Sequence, residues 1–196
     1  MDLNRLTSQS HPLRIDSVPA GPNGGRIGMT FCPGKKQPNG ITGHWDRDLD
    51  ADLKAMLDWK ADALATLIED HEFDQLEVRE LGAKANALGI EWMHLPIVDG
   101  AAPDERLREA WPRDGARLRR ILQDGGRVVL HCKGGLGRTG TIAVQLLLEL
   151  GEDLDDAIRM VRAARRGAIE TVEQERYLQA LAVSMKKEGD APAGRE

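Results

Sequence analysis

The sequence predicts a single α/β domain built on a central four- to five-stranded, mostly parallel sheet flanked by helices, and three observations carry that prediction. Short apolar runs alternate with longer stretches of helical periodicity, the pattern of strands joined by helical crossovers. The last run, RVVLHC at 127–132, has the character of a central strand covered on both faces, and only helical patterns follow it. At 196 residues with 41% hydrophobic and only 4% aromatic content, the chain can fill one core, mainly with Leu, Ile, Val and Ala.

Residues 1–12 are polar and unpatterned and read as a flexible segment, and the charged, Gly/Ala/Pro-containing stretch 187–196 reads as a flexible tail. The domain between them spans 13–186. RIGMTF at 26–31 is a short strand, and the Gly/Pro-rich stretches 19–25 and 33–43 read as loops around it. A helix over 48–59 places Leu49, Leu53, Met56 and Leu57 on one face, and ALATLI at 63–68 is a buried strand. One helix is predicted over 72–88, stopped by Gly89. IEWMHLPI at 90–97 is the next strand, ended by Pro96 and the loop VDGAAPD. The helix over 104–123 carries a stripe of Leu107, Trp111, Leu118, Ile121 and Leu122, and Pro112 and Gly115 predict a kink or break in it. Beyond the last strand, IAVQLLLEL at 142–150 is apolar nearly all round and should run through the core, whereas helices over 153–165 and 171–186 are amphipathic.

A net charge of −5 and a pI near 5.6 argue against a surface built to coat nucleic acid or an anionic membrane, so any anion site must be local. The first residues hold no apolar signal region and no run approaches the length of a membrane span. Two cysteines, Cys32 and Cys132, are too few for a disulfide framework, and a reducing, cytoplasmic setting is expected. No pattern suggests a metal site or a cofactor: none of the five histidines has metal-ligand spacing, and His44 and His94 read as loop and strand residues.

The informative segment is His131-Cys132-Lys133-Gly134-Gly135-Leu136-Gly137-Arg138-Thr139-Gly140, between the last strand and the core helix. Such a loop turns successive backbone N–H groups inward, and the helix start adds partial positive charge, which together make an anion cradle. Its glycines let the chain curl around a tetrahedral oxyanion, and the Arg138 guanidinium can fork two oxygens. The same groups favour thiolate at Cys132, which predicts in-line attack on phosphorus through a phosphocysteine, with Thr139 donating to the sulfur and His131 orienting the loop. A purely structural turn would not require an arginine at this spacing, and chance supplies the pattern in roughly one chain in a thousand. Cys32, by contrast, reads as a small buried hydrophobe. Gly135-Leu-Gly137-Arg-Thr-Gly140 also fits a dinucleotide fingerprint, but no further parallel strand follows to carry the ribose-binding acid.

These residues resemble the signature of the protein tyrosine phosphatase superfamily, and HCKGGLGRTG with the upstream HLPIVDGAAPD is most similar to the dual-specificity type of the cyclin-dependent kinase inhibitor 3, or kinase-associated phosphatase, family. The resemblance covers most of residues 13–186 and implies the cysteine-phosphatase fold. It implies a phosphate loop of Lys133, Gly134, Gly135, Leu136, Gly137 and Arg138, and a general acid at Asp99 in Pro96-Ile97-Val98-Asp99-Gly100. Asp104 is the alternative acid, although an aspartate opening a helix also serves as a cap. A water-positioning glutamine is implied at Gln174, while Glu170 stands where the family carries a second glutamine. Arg165 and Arg166 lie near this turn and are candidates to enlarge the anion site. The implied substrate is a phosphorylated protein or peptide, with phosphate or sulfate able to occupy the loop and the chain acting as a monomer. A phosphoinositide substrate and an inactive phosphate-binding module are the alternatives; Lys133 favours the former and Leu136 weighs against it.

Overall fold

The computed structural model describes residues 5–40 and 43–189. The chain opens with the strands β1 (Arg5–Leu6), β2 (Asp16–Ala20), β3 (Gly25–Phe31), β4 (Lys36–Gly40) and β5 (Gly43–Asp46). Then come α1 (Leu49–Asp58), β6 (Ala63–Thr66), α2 (Asp70–Gln75), α3 (Leu81–Ala87) and β7 (Glu91–His94). The last part holds α4 (Glu105–Gln123), β8 (Arg127–Cys132), α5 (Gly137–Glu149), α6 (Leu154–Ala164) and α7 (Val172–Gly189).

The central sheet has five strands in the order β2-β3-β8-β6-β7, with every neighbour pair parallel except β2 with β3. This is the predicted α/β class, and RVVLHC occupies the middle position because both of its faces are covered. Behind it α5 is buried from Gly137 to Leu148, as its apolar sequence requires.

A second sheet, in the order β1-β5-β4, lies outside the prediction. Its strands hide in a Gly/Pro-rich sequence: β4 is an edge strand, where Pro38 removes no ladder bond that the sheet needs, and Pro19 sits likewise in the edge strand β2. The N-terminal segment predicted to be flexible is docked from Arg5 to His11. The cause is a buried ion pair: Arg47 forks Asp52 with two bonds of 2.7 Å. The pair's remaining polar atoms are satisfied by Ser8 Oγ, which donates to Asp52 at 2.8 Å, and by the His11 carbonyl, which accepts from Arg47 at 2.7 Å. At the other end, helix α7 runs to Gly189, beyond the start of the predicted tail at 187; residues 190–196 of that tail lie outside the described residues.

The single helix predicted over 72–88 is two helices, α2 and α3. A capping box between Glu69 and Glu72 starts α2, and Glu77, in a left-handed conformation with φ 56°, ends it. Leu76 and Val78 are both 1% exposed, whereas on a helix with one solvated face residues two apart point to opposite sides. Helix α4, in contrast, is unbroken through Pro112. Gly115 is there for space, since a Cβ would fall 2.4 Å from the Trp111 indole.

Candidate active site

Strand β8 delivers Cys132 to the C-terminal edge of the parallel strands, the edge at which α/β sheets assemble their sites. The loop from Lys133 to Leu136 then turns into α5. Gly135 has φ 73°, and a Cβ there would lie 2.2 Å from the Thr30 carbonyl, so no other residue lets the loop pass this closely over β3. Its N–H donates to Cys132 Sγ at 3.2 Å. Gly137 is needed for a different approach, because a Cβ would meet Glu170 Oε2 at 2.6 Å. Gly134 meets no such obstacle.

Arg138, in the first turn of α5, is 1% exposed. Its Nη1 and Nη2 donate to the two oxygens of Glu72 at 2.5 and 3.0 Å, Nη1 also reaches the Ile97 carbonyl at 3.1 Å, and Nη2 pairs with Asp99 Oδ1 at 2.8 Å. Its Nε is buried and has no partner among the described residues. Burial opposes the charge on Arg138, but the hydrogen bonds it donates to Glu72 and the proximity of Cys132 and Asp99 outweigh it and raise its pKa above the ordinary value. Burial likewise opposes ionisation of Glu72, and the bond from Arg138 overrides it and holds the carboxyl below its usual range. Glu72 was not singled out from the sequence.

Asp99 is 63% exposed in its side chain and sits on Arg138, so the structure brings it to the loop. Asp104 is elsewhere occupied: it caps α4, accepting from Arg106 N at 3.1 Å, and its bond to the Arg106 side chain lowers its pKa. Thr139 is fully buried and its hydroxyl has no partner among the described residues, so the predicted bond to the sulfur is not made in this conformation.

His131 is buried, and burial pushes its pKa down from 6.5 to about 3, so the ring is neutral. Its Nδ1 faces the Cys132 carbonyl at 3.3 Å and must carry the hydrogen, which makes Nε2 the acceptor of the Thr66 hydroxyl at 2.8 Å. Thr66 in turn accepts from the Trp92 indole at 2.8 Å. The histidine therefore orients the strand end on which the cysteine sits. Acidification should also expose it: below pH 6.5 the unfolded chain binds a proton at His131 that the folded chain refuses until about pH 3, so stability falls as pH drops through that window. Urea unfolding at a series of pH values should show this loss and a flatter dependence in His131→Gln; equal slopes would assign the acid sensitivity elsewhere.

The turn at 168–174 closes the site from the other side. Ile169, a β-branched residue, is held at φ 62°, a conformation that costs about 1–3 kcal/mol. Glu170 Oε2 accepts from Gly137 N at 2.7 Å. Gln174 is fully buried with both amide ends engaged, accepting from Glu170 N at 2.9 Å and donating to the Ala101 carbonyl at 3.2 Å. Thr171 donates to the Gly100 carbonyl at 3.1 Å, so this turn straps the Asp99 loop in place. Arg165 does not enlarge the anion site. All three of its nitrogens are engaged, two on the carbonyls of Gly134 and Gly135 and one on Asp16. Arg166 is exposed, and Cys32 is buried, with burial raising its thiol pKa.

Residues 39–152 match the family model Tc-R-P, polymorphic toxin system, DSP-PTPase phosphatase. Cyclin-dependent kinase inhibitor 3 of Rattus norvegicus is 37% identical over 95 residues, covering 46% of this chain and 42% of the relative. Protein tyrosine phosphatase type IVA 3 of Homo sapiens is 36% identical over 81 residues, covering 41% and 46%. The chain thus spans less than half the length of these curated relatives. Among solved structures, kinase associated phosphatase with its catalytic-site cysteine replaced by serine superposes with a TM-score of 0.76 at 24% identity, covering 89% of this chain and 97% of that one. Tk-PTP in the active form gives 0.62 at 28% identity, covering 84% and 97%. The fold is that of the cysteine phosphatases.

Proposed function

Because the chain belongs to the polymorphic-toxin-system DSP-PTPase phosphatase family, we propose that it is a cysteine-dependent protein phosphatase that hydrolyses phosphate monoesters in two steps. One observation carries the reading: a buried arginine, locked by Glu72, stands over a loop whose Gly135 amide points at the sulfur of Cys132. The amide, the start of α5 and Arg138 place positive charge and a hydrogen-bond donor around the sulfur. Cys132 Sγ attacks phosphorus in line, and the substrate oxygen departs with a proton from Asp99. A water then attacks the phosphocysteine, gives its proton to Asp99 and releases phosphate.

The Asp99 carboxylate now on Arg138 Nη2 occupies a position suited to a phosphate oxygen, and substrate would take that position and free Asp99 for the leaving group. Thr139, with its hydroxyl uncommitted, can turn to the sulfur as it leaves. Gln174, with both amide ends engaged, serves the loop by strapping it rather than by holding water. The physiological substrate in this reading is a phosphorylated protein or peptide, met by a monomer in the cytoplasm, and the chemistry asks nothing of a metal.

Hydrolysis of an aryl phosphate in the presence of a chelator, with acid-quench trapping of a labelled phosphocysteine, tests the proposal. Tight phosphopeptide binding without turnover would replace it with a binding module. Asp99→Ala should lower kcat by about 10²–10⁴, most for substrates with poor leaving groups. Undiminished turnover in that variant would remove Asp99 from its role.

A further inference from the structure

The outer side of the phosphate loop is gripped by two cations from different parts of the fold. Arg165, closing α6, donates from Nε to the Gly135 carbonyl and from Nη2 to the Gly134 carbonyl, the latter at 3.1 Å. Its third nitrogen is anchored at 2.7 Å by Asp16 on β2, and both side chains are nearly buried, at 12% and 11% exposure. On another side Lys35, 3% exposed, lies over the rings of Phe31 and Trp45 at 5.0 and 4.7 Å. Its Nζ reaches the Lys133 carbonyl at 3.4 Å, an oxygen that also faces the Cys32 N–H.

A trans peptide points the carbonyl of one residue and the N–H of the next in opposite directions. Holding the carbonyls of Lys133, Gly134 and Gly135 outward therefore turns the N–H groups of Gly134, Gly135 and Leu136 inward. The Gly135 N–H on Cys132 Sγ is the visible consequence. A single flipped peptide would instead aim an oxygen at a dianion, and in a glycine-rich loop little local stereochemistry prevents that flip.

We propose that Arg165, anchored by Asp16, and Lys35 are positioning residues that keep the amide ring of the phosphate loop turned toward the anion. The inference deepens the phosphatase reading and rests on it for the identity of that anion. Burial works against Lys35, holding its pKa down to about 8, so the side chain sits against the loop at a cost to its own charge. The titratable and charged groups around Lys35 are Cys32, Cys132, Arg47 and Lys133, and Arg138 also lies close to Cys132.

The test is read without turnover: iodoacetamide alkylation of Cys132 as a function of pH, and protection from alkylation by inorganic phosphate. In Arg165→Met the phosphate concentration giving half-protection should rise about tenfold, with alkylation slowed at neutral pH. Lys35→Met and Asp16→Asn should move both in the same direction by less, and Arg165→Lys should fall between. Thermal melting of each variant separates loss of fold from loss of loop geometry. If the folded variants keep wild-type protection and profile, the inference is overturned. Wild-type protein that shows phosphate protection but hydrolyses nothing would instead remove the phosphatase reading and leave the grip intact.

Discussion

Cys132→Ser should leave a folded protein that binds inorganic phosphate and has lost turnover by about 10⁴ or more. The size of the effect follows from what surrounds the position. A serine hydroxyl must be deprotonated to attack phosphorus, and no base among the described residues is placed to do it. His131, the adjacent imidazole, commits its Nδ1–H to the residue-132 carbonyl and its Nε2 to Thr66. Arg138 holds its proton firmly, and the proposed mechanism assigns Asp99 to the leaving oxygen. Steady-state hydrolysis of an aryl phosphate beside phosphate binding by calorimetry checks both halves; residual turnover within tenfold of wild type would show that the sulfur is not the nucleophile.

Glu72→Ala should lower the free energy of unfolding by about 3–5 kcal/mol, because it strands a buried guanidinium that keeps only Asp99 and two carbonyls as partners. The same change frees Arg138 to leave its fork geometry, so kcat/KM should fall even in the fraction that remains folded. Glu72→Gln, which can still accept one bond, should lie between. Urea unfolding read together with activity per folded molecule decides the matter, and a stability change below about 1 kcal/mol would mean that the pair contributes far less than its burial implies.

How much of this could be read from the sequence depended on distance along the chain. The nucleophile, the loop and Arg138 lie within one short segment whose spacing is itself the signal, and the strand before it and the apolar helix after it are periodic enough to place it at a sheet edge. Glu72 is 66 residues from Arg138, and Arg165 is 149 from Asp16. Nothing local distinguishes such an acid or arginine from the solvated ones around it. The helix break after Gln75 was hidden for a related reason: the burial of both Leu76 and Val78, which it accommodates, is a tertiary demand. The outer sheet escaped because its edge strand carries a proline, and a proline in the sequence argues against a strand in all but such positions. For Gln174 the family resemblance points to the right turn, yet the side chain spends its amide on the Asp99 loop.

That arrangement ties the C-terminal helix to the loop that carries Asp99. Thr171 and Gln174 join its first turn to the backbone beside Asp99, while Cys132 is carried by strand β8 and needs neither. Replacing both Thr171 and Gln174 by alanine would thus keep the thiol and the arginine but remove the clasp on the Asp99 loop. On the proposed mechanism, such a variant would form the covalent adduct slowly, retain it, and behave as a trap for phosphate esters.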